Sequence, residues 1–197
     1  ITGTDVAKEA ADMILTDDNF ASIVAAVEEG RTIFANIRKF VGFLLSCNIG
    51  ELLLIFIAML LGLPVPLLPI HLLLINLITD AFPAFALGVE PMEEGIMDQP
   101  PRDPQEPIIN KKMAIAVGIQ SIFLASAALA SFYFGFKYFT GENSLVLART
   151  YCFVTLVAGE LLRAYSARSE KTTIFKMKLF ENKYLNLSVL GSLALLF

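Results

Sequence analysis

The sequence predicts an all-α membrane protein, a bundle of transmembrane helices with one long stalk helix extending into the cytoplasm. Three observations carry this. First, 56% of the 197 residues are hydrophobic and only 17% charged, with 16 Phe and a mean hydropathy of +0.66. Second, the apolar residues fall into runs of about 20, enough to cross a hydrocarbon core of ~30 Å. Third, the polar and Pro-rich residues collect between those runs. The net charge of −4 is modest and the basic residues are scattered outside the apolar runs, which excludes a nucleic-acid footprint.

Residues 1–19 are mixed and polar and read as the edge of a soluble domain, with Asp17, Asp18 and Asn19 as N-cap candidates for the next helix. From Phe20 to Gly62 there is no proline and the pattern is helical, amphipathic through Glu28, Glu29, Arg31, Arg38 and Lys39 and almost wholly apolar from Phe40. At ~1.5 Å per residue such a helix is roughly 60 Å long, about twice what a bilayer needs. Residues 20–39 therefore form a stalk in water, and 40–62 a first span.

Leu63–Pro69, with three prolines, is a tight turn, and a second span over 70–89 returns the chain. Glu90–Lys112 carries five prolines among acids and bases and reads as a solvated, partly extended loop. A third span over 113–136, a turn with Lys137, Gly141 and Glu142, and a fourth span over 145–165 follow. A basic loop over 166–183 precedes a fifth span, 185–197, which stops in mid-run. Lys and Arg concentrate in the stalk and the two long loops, which places those, with the N-terminus, on the cytoplasmic side. With no initiator Met and an interrupted last span, the sequence reads as a piece of a longer protein.

Polar residues inside the spans carry the functional signal. Asn76, Thr79 and Asp80 stand at i, i+3 and i+4, so their oxygens share one helical face, and Pro83 offers no N–H to the carbonyl of Thr79. Asn48 and Glu51 repeat the pattern at i and i+3 in the first span, and Glu160 adds a carboxylate in the fourth. Each carboxylate costs about 2.5 to 3.5 kcal/mol at mid-membrane depth. An all-oxygen set suits a hard cation better than zinc. The competing structural reading is a Pro-kinked helix bonding its neighbours, with Glu51 or Glu160 protonated, or Glu160 paired with Arg163 one turn away.

The six residues offer nine side-chain oxygens at most, whereas two calcium ions need roughly 12 to 16. They complete one calcium site but not two. His71 reads as an interfacial histidine, and Cys47 and Cys152 as small buried hydrophobes.

The strings CNIGELLLIF, GLPVPLLPIHLLLINLITDAFPAFALGVEP and IMDQPPR closely resemble the fifth and sixth transmembrane helices and following loop of type II P-type cation ATPases, nearest to the sarco/endoplasmic reticulum-like calcium pumps. The opening DVAKEAADMILTDDNFASIVAAVEEGR resembles the end of their phosphorylation domain, so the resemblance assigns residues 1–19 to that domain and covers essentially the whole chain. It implies that the counterparts of Asn48, Glu51, Thr79, Asp80 and Glu160 hold one Ca2+, and that those of Asn76 and Asp80 help hold a second. The missing oxygens would come from a helix outside this sequence, and so would the phosphorylated aspartate of DKTGT, the nucleotide-binding and actuator domains, and the ATP and Mg2+ they bind. Expected partners are membrane lipid and the rest of the same pump, with no nucleic acid; the piece alone would not hydrolyse ATP. The expected place is a cell membrane, or an internal one in a eukaryote, and the emptied carboxylates would carry protons back.

Arg163 departs from the family pattern, since a neutral polar residue is expected there. It either reaches Glu160 and weakens the first site, or snorkels to the cytoplasmic surface. Two rival functions stay open: a P-type pump for Na+, K+, H+ or Mn2+, and a non-catalytic membrane module using the same carboxylates passively.

Overall fold

A computed structural model describes residues 3–17, 19–103, 105–139, 141, 143–169 and 180–196. Among them every regular element is helical: α1 (Asp5–Glu9), α2 (Phe20–Leu60), α3 (Pro69–Leu74), a π-helical turn (Ile75–Asp80), α4 (Ala81–Gly88), α5 (Lys111–Tyr138), α6 (Ser144–Ser166) and α7 (Lys183–Leu196). Among the described residues four stretches are long and apolar enough to cross a membrane: α2, the continuous run Pro69–Gly88, α5 and α6. The predicted basic-loop residues Lys171, Lys176 and Lys178 lie outside the described residues, as do Asp18 and Glu142.

Local chemistry sets the helix ends. Asn19 caps α2, its Oδ1 accepting from the backbone N–H of Ala21 at 3.0 Å, and Asn110 caps α5 by accepting from Met113 N at 3.0 Å. At the far end of α2, Gly62 adopts φ +67°. Its N–H bonds Met59 O and that of Leu63 bonds Ala58 O, both at 3.0 Å, a Schellman closure that glycine accommodates without strain. Pro69 opens α3 at a position where its missing N–H costs nothing.

The core lies where α2, α4, α5 and α6 meet, around Phe43, Leu54, Leu87, Phe132 and Leu156. α5 and α6 approach closely at Gly135. A Cβ added to Gly135 would stand 2.8 Å from Ala148 Cα, so the small residue is what lets the two backbones meet. The Ser121 hydroxyl donates to Ser46 O at 2.9 Å and ties α5 to α2.

The connection after α4 is mostly exposed and, among its described residues, has no regular structure, in keeping with a solvated loop, yet it also folds back on the first half of α2. Arg31 Nη1 donates to the carbonyls of Ile96 (2.9 Å) and Gln99 (2.8 Å), Lys39 pairs with Glu93 at 2.9 Å and Arg38 with Glu106 at 3.3 Å, and the Arg102 guanidinium stacks 3.9 Å from the Phe34 ring centroid. Arg31, Arg38 and Lys39 recur at i, i+7 and i+8, one face of α2. Basic residues read as a wet helix face instead hold the strap.

A buried polar node closes the same end of the bundle. Glu90, just past α4, accepts from Arg168 Nε at 2.7 Å and from Asn182 Nδ2, and its carbonyl accepts from Asn36 of α2 at 2.7 Å. Asn182 also donates to Ala86 O and accepts from Leu185 N, which starts α7. The Glu90 carboxylate thus joins the segments that follow α6 and precede α7, while its main-chain carbonyl ties the same residue to α2.

Candidate functional site

The run Pro69–Gly88 crosses the bundle with its middle wound as a π-helix, ending three residues before Pro83. Proline removes a helical donor, and wide turns of this kind favour functional positions. Within the turn Thr79 and Asp80 are buried and Asn76 is half-buried, so the three polar residues keep an inward bias despite the changed winding. The Thr79 hydroxyl donates to Ile75 O at 3.0 Å, which leaves its lone pairs free to accept or to ligate.

Glu51 of α2 and Glu160 of α6 meet this turn. Glu51 is 5% exposed and Asp80 and Glu160 are 0% exposed. Glu51 Oε2 accepts from Asn76 Nδ2 at 2.8 Å, and the same amide nitrogen reaches Leu72 O at 3.0 Å. Glu51 Oε1, both oxygens of Asp80 and both oxygens of Glu160 are buried with no hydrogen-bond partner. Burying an unpaired carboxylate costs several kcal/mol even after relaxation. A cluster of five such oxygens on three helices is costly as a structural core and well suited to receive a positive charge.

Asn48 stands apart from this cluster. Its side chain is exposed and its Nδ2 donates to Leu44 O of its own helix at 2.8 Å. The inward position on α2 belongs to Cys47, fully buried and one turn before Glu51. Cys47, Asp80 and Glu160 each present a ligating atom within 4.8 Å of the others. The expectation of a small buried hydrophobe captures the burial of Cys47 but not what its sulfur faces. The i, i+4 spacing of Cys47 and Glu51 was the available signal.

Arg163 does not reach Glu160, whose oxygens have no partner. Its Nη1 donates to the Ser166 hydroxyl at 3.1 Å at the end of α6, and it lines a groove of about 450 Å³ with Ser46, Gln120 and Ser166. His71 stays at the start of α3, its ring 5.2 Å from that of Phe153.

Comparison with known proteins gives the same direction. Residues 64–197 match the family described as cation transporting ATPase, C-terminus. The chain is 44% identical over 203 residues to a protein named Calcium-transporting ATPase 1 from Bacillus cereus, covering 96% of this chain and 23% of the relative. It is 43% identical over 196 residues to the Calcium-transporting ATPase of Bacillus subtilis, covering 100% and 22%. It is 39% identical over 194 residues to Calcium-transporting ATPase type 2C member 1 of Pongo abelii, covering 98% and 21%. The chain therefore spans between a fifth and a quarter of the length of these relatives.

Proposed function

Because the chain belongs to the cation-transporting ATPase family through its C-terminal part, we propose that it is the ion-binding membrane part of an ATP-driven pump that moves Ca2+ out of the cytoplasm. The observation that carries this is the set of five buried, unpartnered carboxylate oxygens from Glu51, Asp80 and Glu160. The names of the relatives supply the ion.

In this reading Asp80 is central, because it is fully buried and both its oxygens are uncommitted. Glu51 and Glu160 flank it, Thr79 contributes a hydroxyl lone pair, and Asn76 orients Glu51 while offering its own carbonyl oxygen. Asn48 joins once its exposed face is covered by other parts of the pump. The sarco/endoplasmic-type ligand set belongs to this proposal and draws on Glu51 and Glu160 both lying inside the bundle.

ATP and Mg2+ act in the rest of the pump, which is the principal partner, and lipid covers exposed apolar residues such as Leu52, Phe56 and Phe123. Residues 1–19 complete the phosphorylation domain and 20–39 form the stalk, on the cytoplasmic side. Movement of α2 carries Glu51 directly, and its Asn36 pulls on the carbonyl after α4, so one helix displaces both walls of the site. Carboxylates emptied of calcium take up protons for the return, since a neutral acid is cheaper to bury than an ion.

The test is calcium-dependent ATPase activity of the intact pump with Asp80→Asn and Glu51→Gln. Both substitutions are expected to weaken calcium activation by tenfold or more, on the order of the ~1.5–3 kcal/mol attached to a charged contact. Unchanged calcium affinity in both variants would sink the assignment.

A further inference from the structure

The site holds a sulfur as well as oxygens. We infer that Cys47, Asp80 and Glu160 form a mixed thiolate–carboxylate site for a soft or borderline divalent cation, Zn2+ or Cd2+, which competes there with Ca2+. The inference rests on the calcium reading for Asp80 and Glu160 and adds the ligand class that Cys47 brings.

The geometry is that of three converging donors. One ligating atom from each residue lies within 4.8 Å of the other two, and all three side chains are fully buried. Metal–sulfur bonds of about 2.3 Å and metal–oxygen bonds of about 2.0–2.2 Å in a tetrahedral site put neighbouring ligand atoms roughly 3.5 Å apart. Closing the present spacing asks for side-chain shifts of about an ångström, within rotamer adjustment. The two carboxylates accept no hydrogen bond from a nitrogen or oxygen donor, so they are free to turn to an ion. Three protein ligands with a fourth position left to water suffice for a zinc-like ion.

Selectivity follows from the donor types. Calcium needs six to eight oxygens and gains little from a sulfur, whereas thiolate donors favour Zn2+ and its softer congeners. On binding, the metal–sulfur bond forms and the thiol proton leaves to water. Position 47 therefore sets the ratio of soft to hard cation affinity, a property that serine, isosteric but all-oxygen, would not confer. Cys152 provides the internal comparison: it is equally buried on α6 but belongs to no such cluster among the described residues.

The experiment uses the intact purified pump and Cd2+ as probe, read by thiolate-to-cadmium ultraviolet absorption and by displacement of radiolabelled Ca2+. Wild type and Cys152→Ala are expected to show the absorption band and displacement at equal Cd2+ concentrations. In Cys47→Ser the band is lost and the ratio of Cd2+ to Ca2+ affinity falls about tenfold or more. A persisting band, or an unchanged ratio, in Cys47→Ser overturns the inference. Should that variant not accumulate in membranes, Cys47→Ala is read by the same two measurements, and a persisting band or an unchanged ratio there overturns the site. Asp80→Asn separates the two levels: calcium binding that survives it refutes the calcium reading itself, whatever the thiol does.

Discussion

The Asn76 amide donates a 2.8 Å hydrogen bond to Glu51 Oε2, joining the π-helical turn to the long helix α2. It is the one hydrogen bond that a carboxylate of the cluster accepts among the described residues. Asn76→Ala removes that donor and leaves Glu51 with both oxygens unbonded. A hydrogen bond to a charged group is worth about 1.5–3 kcal/mol, so the calcium concentration for half-maximal transport in vesicles is expected to rise about tenfold or more. An unaltered calcium dependence would show that Asn76 neither orients Glu51 nor ligates.

Arg163 tests how many ions the site takes. Its guanidinium is engaged with Ser166 and leaves Glu160 without a partner. Arg163→Asn is therefore expected to leave the number of Ca2+ bound per pump, counted by equilibrium dialysis, as in wild type. A gain of one ion in the variant would mean that the arginine does occupy a ligand carboxylate during the cycle.

Packing of α5 on α6 gives a stability prediction. At Gly135 an added Cβ meets backbone, Ala148 Cα at 2.8 Å, which cannot rotate away, whereas at Gly118 it meets nothing within 4 Å. Gly135→Ala is expected to cost about 1–3 kcal/mol by overpacking, seen as a lower thermal midpoint of the pump in detergent. Gly118→Ala is expected to cause no loss, since alanine is the better helix former by about 1 kcal/mol. Equal midpoints for the two variants would contradict the close approach.

The sequence reading and the structure agree best where the determinants are local. The predicted spans over 113–136 and 145–165 lie within two residues of each end of Lys111–Tyr138 and Ser144–Ser166, because helix ends are set by near neighbours, as Asn110 sets the start of α5 through its bond to Met113. Pro83 announced an irregular helix but not its π winding. The facing of α2 was harder: in a helix apolar all round there is no polar stripe to fix the rotation, so nothing in the string says that Asn48 is exposed on this chain or that Cys47 faces Asp80 and Glu160. The Glu90 node was invisible, because its partners stand 78 and 92 residues away and each looks like an ordinary loop residue. Composition read the connection after α4 as solvated, and most of it is exposed, but its pairing with α2 was not legible, since charged residues that pair are indistinguishable in a string from those that face water.

That node restricts how the chain can change over generations. Deleting one partner of a buried ion pair costs about 3–5 kcal/mol, so a lineage that loses Arg168 first passes through a form with Glu90 uncompensated among α2, α4 and α7. Neutralising Glu90 first strands an arginine that is as deeply buried as the acid it paired with. Neither single step is cheap, so positions 90 and 168 are expected to change together, with position 182 adjusting to them. Three sites that no stretch of sequence connects should carry a shared history.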